Sequence, residues 1–230
     1  MLRKLRAKSI EKYLILFVAL AGVVVVALSL AYAEEDENPV VGFYVERGQH
    51  AFETRSPIVT GTTFSLKTRS YYKRIGEHGA VQSIDSAVIT YYYSWGKLDS
   101  SRVISGDADR FKNVDLSYPD VFSRDYRFYL FPNDVGGSEL AIGFDTRTEQ
   151  DTLPEGLILI DREQYYPLWL YLYYPAKPGY VRFSRSLRFT EQEGKIFPDS
   201  VWEVGAKRGI FFSEYFRLET GVTEIDIERL

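Results

Sequence analysis

The residues that could do chemistry in this chain are few, and none has the spacing of an enzyme active site. His50 and His78 are the only histidines, and no metal-ligand motif surrounds either of them. The chain contains no cysteine, which excludes thiolate catalysis and cysteine metal sites. Gly136-Gly137-Ser138-Glu139 lacks the Gly-x-Ser-x-Gly form of a nucleophile elbow. We therefore predict a protein that is not an enzyme and has no cofactor.

One short acidic motif hints at calcium. Asp107-Ala108-Asp109 resembles the start of a calcium-binding loop. Phe111 and Lys112 then occupy the positions where such a loop has Asn or Asp followed by Gly. We predict an ordinary loop here and no metal site.

Arg185 has the most informative position of the charged residues. Period-two alternation places it between Phe183 and Leu187, on the apolar side of a predicted strand. An unpaired charge there would be costly. Arg185 must therefore meet a carboxylate or carbonyl groups, border a water-filled cavity, or lie where a bulge changes the register. Two roles stay open, a structural ion pair or a polar anchor at the mouth of a ligand pocket.

Aromatic residues are frequent: 18 Tyr, 15 Phe and 3 Trp make up 16% of the chain, and they concentrate in the predicted strands. Aromatic side chains favour strands and fill cores, which explains these counts without a ligand. The functional alternative is that part of the apolar face lines a cavity for an apolar guest. On that interpretation the predicted ligand-binding residues are Trp169, Tyr171, Phe183, Arg185, Leu187, Phe189, Trp202 and Phe212.

The elements that must position these residues are mainly β-strands. Residues 62–105 predict a three-stranded antiparallel meander. Strand-like segments follow at 126–131, 139–145, 156–161, 168–174, 180–190, 195–206, 209–220 and 222–229. Short helices are predicted at 42–53 and 117–122. The segment 168–174 is apolar on both faces, as in a central strand covered on one side. The pattern predicts one large, strongly curved antiparallel sheet.

The N-terminal 33 residues decide where the rest of the chain works. Five basic residues and one acid precede an apolar stretch at 13–33, which closes with Ala31-Tyr32-Ala33 before an acidic run. This layout predicts a signal peptide at 1–33 that is cleaved after Ala33, leaving a single domain at 34–230 that is periplasmic or secreted. The alternative is a retained membrane anchor, because about twenty apolar residues also span a bilayer. Both place the domain outside the cytoplasm.

Charge excludes one class of partner. The whole chain has a net charge of −4 and the first 33 residues carry +4, which leaves −8 for residues 34–230. Both signs are interspersed, and no basic stripe exists to neutralise phosphates. Nucleic acid is therefore not an expected partner.

The C-terminal strands carry a family resemblance. Gly179-Tyr180-Val181-Arg182-Phe183, then Gly194-Lys195-Ile196-Phe197-Pro198, then Gly209-Ile210-Phe211-Phe212 resemble the closing strands of the periplasmic outer-membrane lipoprotein carrier (LolA-like) superfamily. The resemblance covers roughly residues 60–230 in architecture. It implies an unclosed β-barrel of about 9–11 strands, with short helices over its mouth, that holds the acyl chains of a lipoprotein or another lipid. Arg185 is a candidate for the polar part of such a lid.

Three functions follow from these observations. The first is an envelope protein that binds or carries a lipid or lipoprotein acyl chain. The second is a non-enzymatic interaction or structural module with a filled core and an envelope protein as partner. The third is an outer-membrane β-barrel, suggested by the alternation and the aromatic content, but its strands are short and the chain ends at Leu230 rather than at an aromatic residue.

Overall fold

The computed structural model describes residues 38–107, 111, 116, 120–131, 137–147, 152–209 and 213–228. The predicted signal peptide at 1–33 lies outside these residues. Among the helices of the described part, none is both long enough and apolar enough to cross a membrane.

The described chain begins with a helix, α1, at Pro39–Arg55. The Asn38 side chain caps it by accepting a hydrogen bond from the Val40 N–H at 3.0 Å, and proline suits the first turn because its missing N–H has no partner there. The helix ends where Ser56 becomes extended. The helix predicted at 42–53 is thus present but longer at both ends, since its cap lies four residues upstream of Gly42.

In the described residues, ten antiparallel strands form a single sheet. They are β1 Phe64–Ile75, β2 Val81–Ser94, β3 Lys97–Gly106, β4 Tyr126–Leu130, β5 Glu139–Thr146, β6 Glu155–Asp161, β7 Pro167–Tyr174, β8 Tyr180–Gln192, β9 Lys195–Arg208 and β10 Ser213–Ile227. Their order is β3-β2-β1-β10-β9-β8-β7-β6-β5-β4, so β3 and β4 are the two edges and the sheet is unclosed. The predicted fold class, a mainly β protein with one unclosed antiparallel sheet, is confirmed.

Two details differ from the predicted elements. Two separate strands are predicted at 209–220 and 222–229. Over residues 213–227 the structure has a single strand instead, β10. Gly221 does not make a turn there, because the chain absorbs the irregularity as a bulge opposite Lys67 and Thr68. Residues 120–122 of the second predicted helix are not helical, and residues 117–119 lie outside the described part.

The two faces of the sheet differ in burial, and we name them accordingly. On the inner face β8 buries Phe183 and Leu187, and the neighbouring strands bury Gly205, Leu170 and Val201, which pair with them. A layer that we call the cover packs on this face. It consists of α1, the turn 57–61 and the buried residues Phe111, Leu116, Val121 and Phe122. The opposite side is the outer face, on which β8 places serines and arginines.

Candidate functional site

Arg185 forms an ion pair in the middle of the inner face. β8 and β9 place it directly opposite Glu203, and both its Nε and its Nη2 donate to Glu203 Oε1, at 2.8 and 2.6 Å. Only 6% of Arg185 is exposed. The expected position of this arginine on the apolar face is confirmed, and of the partners that the sequence left open the structure shows a carboxylate. On the two outer sides of the pair, Leu172 of β7 lies opposite Arg185 and Leu218 of β10 lies opposite Glu203, so the charges lie between apolar neighbours.

Aromatic rings fill the inner face beyond the ion pair. The Phe183 ring centroid is 5.5 Å from that of Tyr174 and 4.9 Å from that of Tyr180. The Lys177 ammonium closes this cluster 3.5 Å from the Phe183 centroid, a cation–π contact. Burial and the Glu203 carboxylate both raise the pKa of Tyr180, while Arg185 opposes the rise. The predicted site residue Phe183 therefore contacts two aromatic rings and a lysine ammonium, and only 1% of it is exposed.

The other two predicted residues of β8 are also buried. Leu187 is fully buried between Leu170 of β7 and Val201 of β9. Phe189 lies opposite Pro198 and is 5% exposed. The four predicted residues Phe183, Arg185, Leu187 and Phe189 are therefore all buried, and they follow one another along the inner face of β8.

A small cavity lies where the cover meets the sheet. It has a volume of about 10 Å³, the room that one water molecule needs. Most of its walls are apolar, and both layers contribute to them. The lining residues are Ser56, Pro57, Ile58, Phe64, Leu66, Tyr93, Leu116, Ile196 and Pro198. Sequence reasoning did not find this cavity, because its position depends on how the turn after α1 crosses the starts of β1 and β9.

The remaining predicted residues lie on the other side of the sheet. Trp169 is opposite Arg188, while Tyr171 and Trp202 flank Ser186, which places all three on the outer face. The alternation pattern could not assign Trp169 and Tyr171 to a face, because the segment 168–174 is apolar on both. Phe212 lies outside the described residues. Ligand contact stays a prediction for the inner-face residues, whereas contact by Trp169, Tyr171 or Trp202 would require a separate site on the outer face.

The histidines and acids offer no further site in the described part of the chain. His50 and His78 are both exposed. Among the described residues, no group of three or more histidine, aspartate or glutamate side chains is placed to hold a metal ion.

The comparisons with known proteins show similarity of fold only. No protein family and no curated protein matches this chain by sequence. Among solved structures it is similar to the LolA superfamily protein NE2245 from Nitrosomonas europaea, with 11% identity over 83% of this chain and 94% of that chain and a TM-score of 0.37. A putative outer membrane lipoprotein-sorting protein domain from Vibrio parahaemolyticus shares 11% identity over 80% and 93% of the two chains, with a TM-score of 0.38.

A DUF1329 family protein from Desulfovibrio piger shares 12% identity over 82% of this chain and 93% of that chain, with a TM-score of 0.42. The superfamily that the C-terminal strands resemble thus also appears among the similar structures. At these identities and TM-scores the function of this chain has to rest on its own residues.

Proposed function

We propose that this protein binds an apolar ligand, the acyl chain of a lipid or lipoprotein, between the cover and the inner face of its sheet. The observation that carries the proposal is the apolar cavity at the join of these two layers, lined by Ile58 of the cover and by Phe64 and Ile196 of the sheet. Apolar concave sites between structural layers are typical ligand sites. The function is binding and delivery, without a chemical step.

Ligand binding requires the cover to move away from the sheet. Pockets that hold small molecules usually have volumes of roughly 300–1,000 Å³. The cavity of about 10 Å³ is far smaller, so the proposal requires a second arrangement in which the cover lies farther from the sheet. An acyl chain would replace contacts that the cover now makes with the inner face, and one apolar surface would be exchanged for another.

Two polar and partly exposed contacts join the cover to the sheet near the cavity, in addition to the apolar residues Ile58 and Leu116 that line it. Arg55 at the end of α1 forms an ion pair with Glu191 of β8 and lies 5.2 Å from the ring centroid of Tyr166. Lys195 donates to Thr60 in the turn after α1 at 3.0 Å. Ion pairs of this exposure contribute roughly 0–1 kcal/mol each. They can therefore break at little cost when the cover opens on this side.

Arg185 is the candidate polar anchor for such a ligand. It lies on the same inner face as the cavity, and its partner Glu203 is five residues beyond the lining residue Pro198 on β9. A guanidinium is suited to hold a carboxyl, ester or phosphate oxygen. The proposal is that the ligand's polar group competes with Glu203 for this arginine.

A cross-link between cover and sheet tests the proposal. Arg55→Cys and Glu191→Cys are introduced together and joined with a short bis-maleimide, which finds no other thiol because the natural chain has no cysteine. Dansyl-undecanoic acid is the probe. We expect the unlinked double variant to bind the probe and the cross-linked form to lose binding, while each single-cysteine variant treated with the same reagent still binds. A probe that binds equally well to the cross-linked form contradicts opening at the cover.

A second function is favoured by the packing of the inner face. Phe183, Leu187 and Phe197 are almost completely buried by the protein's own residues. If the cover never opens, the protein is a non-enzymatic envelope module that binds a protein partner through its surface. Failure of the unlinked chain to bind dansyl-undecanoic acid at any concentration below its solubility limit would favour this module over the carrier.

The proposed place of action is outside the cytoplasm. The signal-peptide pattern of residues 1–33 supports export of residues 34–230 to the periplasm, and a retained segment at 13–33 would leave the same domain tethered to the membrane.

A further inference from the structure

The outer face carries a cluster of aromatic and apolar residues that the proposed acyl site does not use. We call it the outer platform, and it consists of Trp169, Tyr171 and Tyr173 on β7 and Trp202 and Val204 on β9. Tyr171 and Trp202 flank Ser186 of β8, and Tyr173 and Val204 flank Ser184. The residues that pair across neighbouring strands point to the same side, so these five form one surface.

The small side chains of Ser184 and Ser186 on β8 leave room for the platform's aromatic rings to lie close to the sheet. The centroids of Trp169 and Trp202 are 4.9 Å apart, with 44° between the ring planes, although β8 runs between their strands. The two indoles meet above β8, beside Ser186. Tyr171 and Val204 remain 42% and 46% exposed, and no residue of the platform belongs to the buried core as far as the structure describes it. The platform is therefore a surface feature and not a part of the packing beneath the cover.

The charges that border the platform are largely paired. Arg188 donates to both carboxylate oxygens of Asp199, at 2.8 and 2.9 Å. Lys73 contacts both oxygens of Glu219, the residue beside Trp202 on β10, at 2.7 Å. These groups offer hydrogen bonds without a strong local field. A ligand that depends on a net charge, such as a phosphate or an anionic bilayer, finds little attraction here.

Three exposed charges complete the border. Arg182 lies at the end of β8 beyond Ser184, Arg217 of β10 lies opposite Val204, and Glu155 of β6 lies opposite Tyr173. Together they add a single positive charge, so the net charge of the surface is small. β7, β8 and β9 are also central strands whose backbone groups are used in the sheet, so a peptide cannot add to them as an extra strand.

We propose that the outer platform binds a neutral saccharide chain. A sugar ring presents an apolar C–H face and a rim of hydroxyl groups. The indole and phenol faces take the C–H faces, while Ser184, Ser186 and the paired Arg188 are placed to hydrogen-bond the hydroxyls. Tyr173 and Trp169 are four residues apart on β7, and the rise per residue of a strand makes the platform about 13 Å long. This length suits a short stretch of a linear glycan.

Calorimetric titration of the whole protein with cellohexaose, chitohexaose and maltohexaose tests this proposal. We expect at least one of them to bind with a Kd below about 1 mM, with little change between low and physiological salt. Trp202→Ala should weaken binding about tenfold or more, and Trp202→Tyr should recover most of the loss. Trp95→Ala is the matched control, since Trp95 is 72% exposed in the β2–β3 turn and should change binding by less than about twofold.

Three results would overturn the proposal. These are no binding of any of the three hexasaccharides below about 1 mM, equal losses in Trp202→Ala and Trp95→Ala, or Trp202-dependent binding to phosphatidylglycerol vesicles in place of a sugar. The acyl proposal is tested separately, because Trp202→Ala should leave the binding of dansyl-undecanoic acid unchanged. Loss of one activity therefore does not imply loss of the other.

Discussion

Gly48 of α1 lies directly against the ring of Phe122, so the helix and the rest of the cover approach at a distance that only glycine permits. A Cβ atom on residue 48 would be 2.9 Å from Phe122 Cε1 and 3.4 Å from Ile160 Cδ1 of the sheet. Interior positions this tight cannot take a methyl group without displacing a neighbour. The contact fixes where the helix crosses the inner face.

Gly48→Ala is therefore expected to be less stable than a glycine-to-alanine change at an open position of the same helix by about 1–3 kcal/mol, since Phe122 or the helix must shift. Gly42→Ala is a control on the same helix, where a Cβ has nothing within 4 Å. It should stabilise the protein by roughly 0.5–1 kcal/mol, because alanine is the better helix former. Urea unfolding of both variants measures the difference. Equal effects would show that the close approach at residue 48 has no energetic weight.

The ion pair between Arg185 and Glu203 gives a second prediction. Arg185→Leu leaves a buried carboxylate without this partner and should reduce the free energy of unfolding by about 3–5 kcal/mol. The double variant Arg185→Leu/Glu203→Leu should recover much of that loss, because apolar neighbours replace the pair. A double-mutant cycle in guanidinium chloride measures the coupling. A double variant as unstable as Arg185→Leu contradicts this account of the pair.

The same variants separate structure from ligand anchoring at Arg185. If the arginine holds the polar group of a ligand, Arg185→Leu/Glu203→Leu should lose affinity for dansyl-undecanoic acid even where its stability is recovered. Unchanged affinity in this folded double variant would assign Arg185 a structural role only.

Alkaline pH should destabilise the fold through two buried tyrosines. Burial raises the pKa of Tyr91 and of Tyr126 to about 12, above the ordinary value of 10.0. The folded state thus favours the protonated phenols, and their contribution to stability is complete below pH 10 and is lost as the pH rises toward about 12. Free energies of unfolding measured from neutral pH upward should decline over that window.

Tyr91→Phe isolates the contribution of one phenol. Its hydroxyl donates to the carbonyl oxygen of Phe111 at 2.8 Å, so removal should cost about 1 kcal/mol at neutral pH. The alkaline decline should then be shallower than in the natural protein, because one titrating group is gone. A variant with an unchanged alkaline decline would exclude Tyr91 as its source.

The N-terminus gives a prediction that is independent of the site. Expression of the whole chain with export should yield a protein whose first residue is Glu34, because Ala31-Tyr32-Ala33 has the form of a signal-peptidase site. N-terminal sequencing of the exported material tests this. A sequence that starts earlier, together with recovery in the membrane fraction, would favour the tethered alternative.

Much of the sheet follows from alternation alone. In β8 the apolar and polar residues separate cleanly, and the structure buries Phe183, Leu187 and Phe189 as the pattern requires. The position of Arg185 on the apolar face also follows from the alternation, which leaves a carboxylate, carbonyl groups, a cavity or a bulge as ways to accommodate its charge. The identity of that carboxylate does not follow, because the pairing of β8 with β9 decides that Glu203 stands opposite.

The parts that could not be predicted depend on contacts between distant segments. Trp169 and Tyr171 belong to a strand that is apolar on both sides, so no pattern could assign them to the outer face. The position of the cover could not be predicted either, since burial of Val41 and Gly48 depends on where α1 packs and not on a strong amphipathic signal. The start of α1 was readable in principle, because Asn38 followed by Pro39 is a good helix beginning.

Native mass spectrometry of the protein, gently extracted from the envelope of cells that express the whole chain, tests the proposed function most directly. The account predicts a population whose mass exceeds that of residues 34–230 by one acyl-bearing molecule, released by mild activation. The Arg55→Cys/Glu191→Cys variant, cross-linked before exposure to lipid, should show the protein mass plus the linker alone. If the natural chain is recovered entirely without a ligand, under conditions that keep a known lipid carrier loaded, the result would contradict binding between the cover and the sheet.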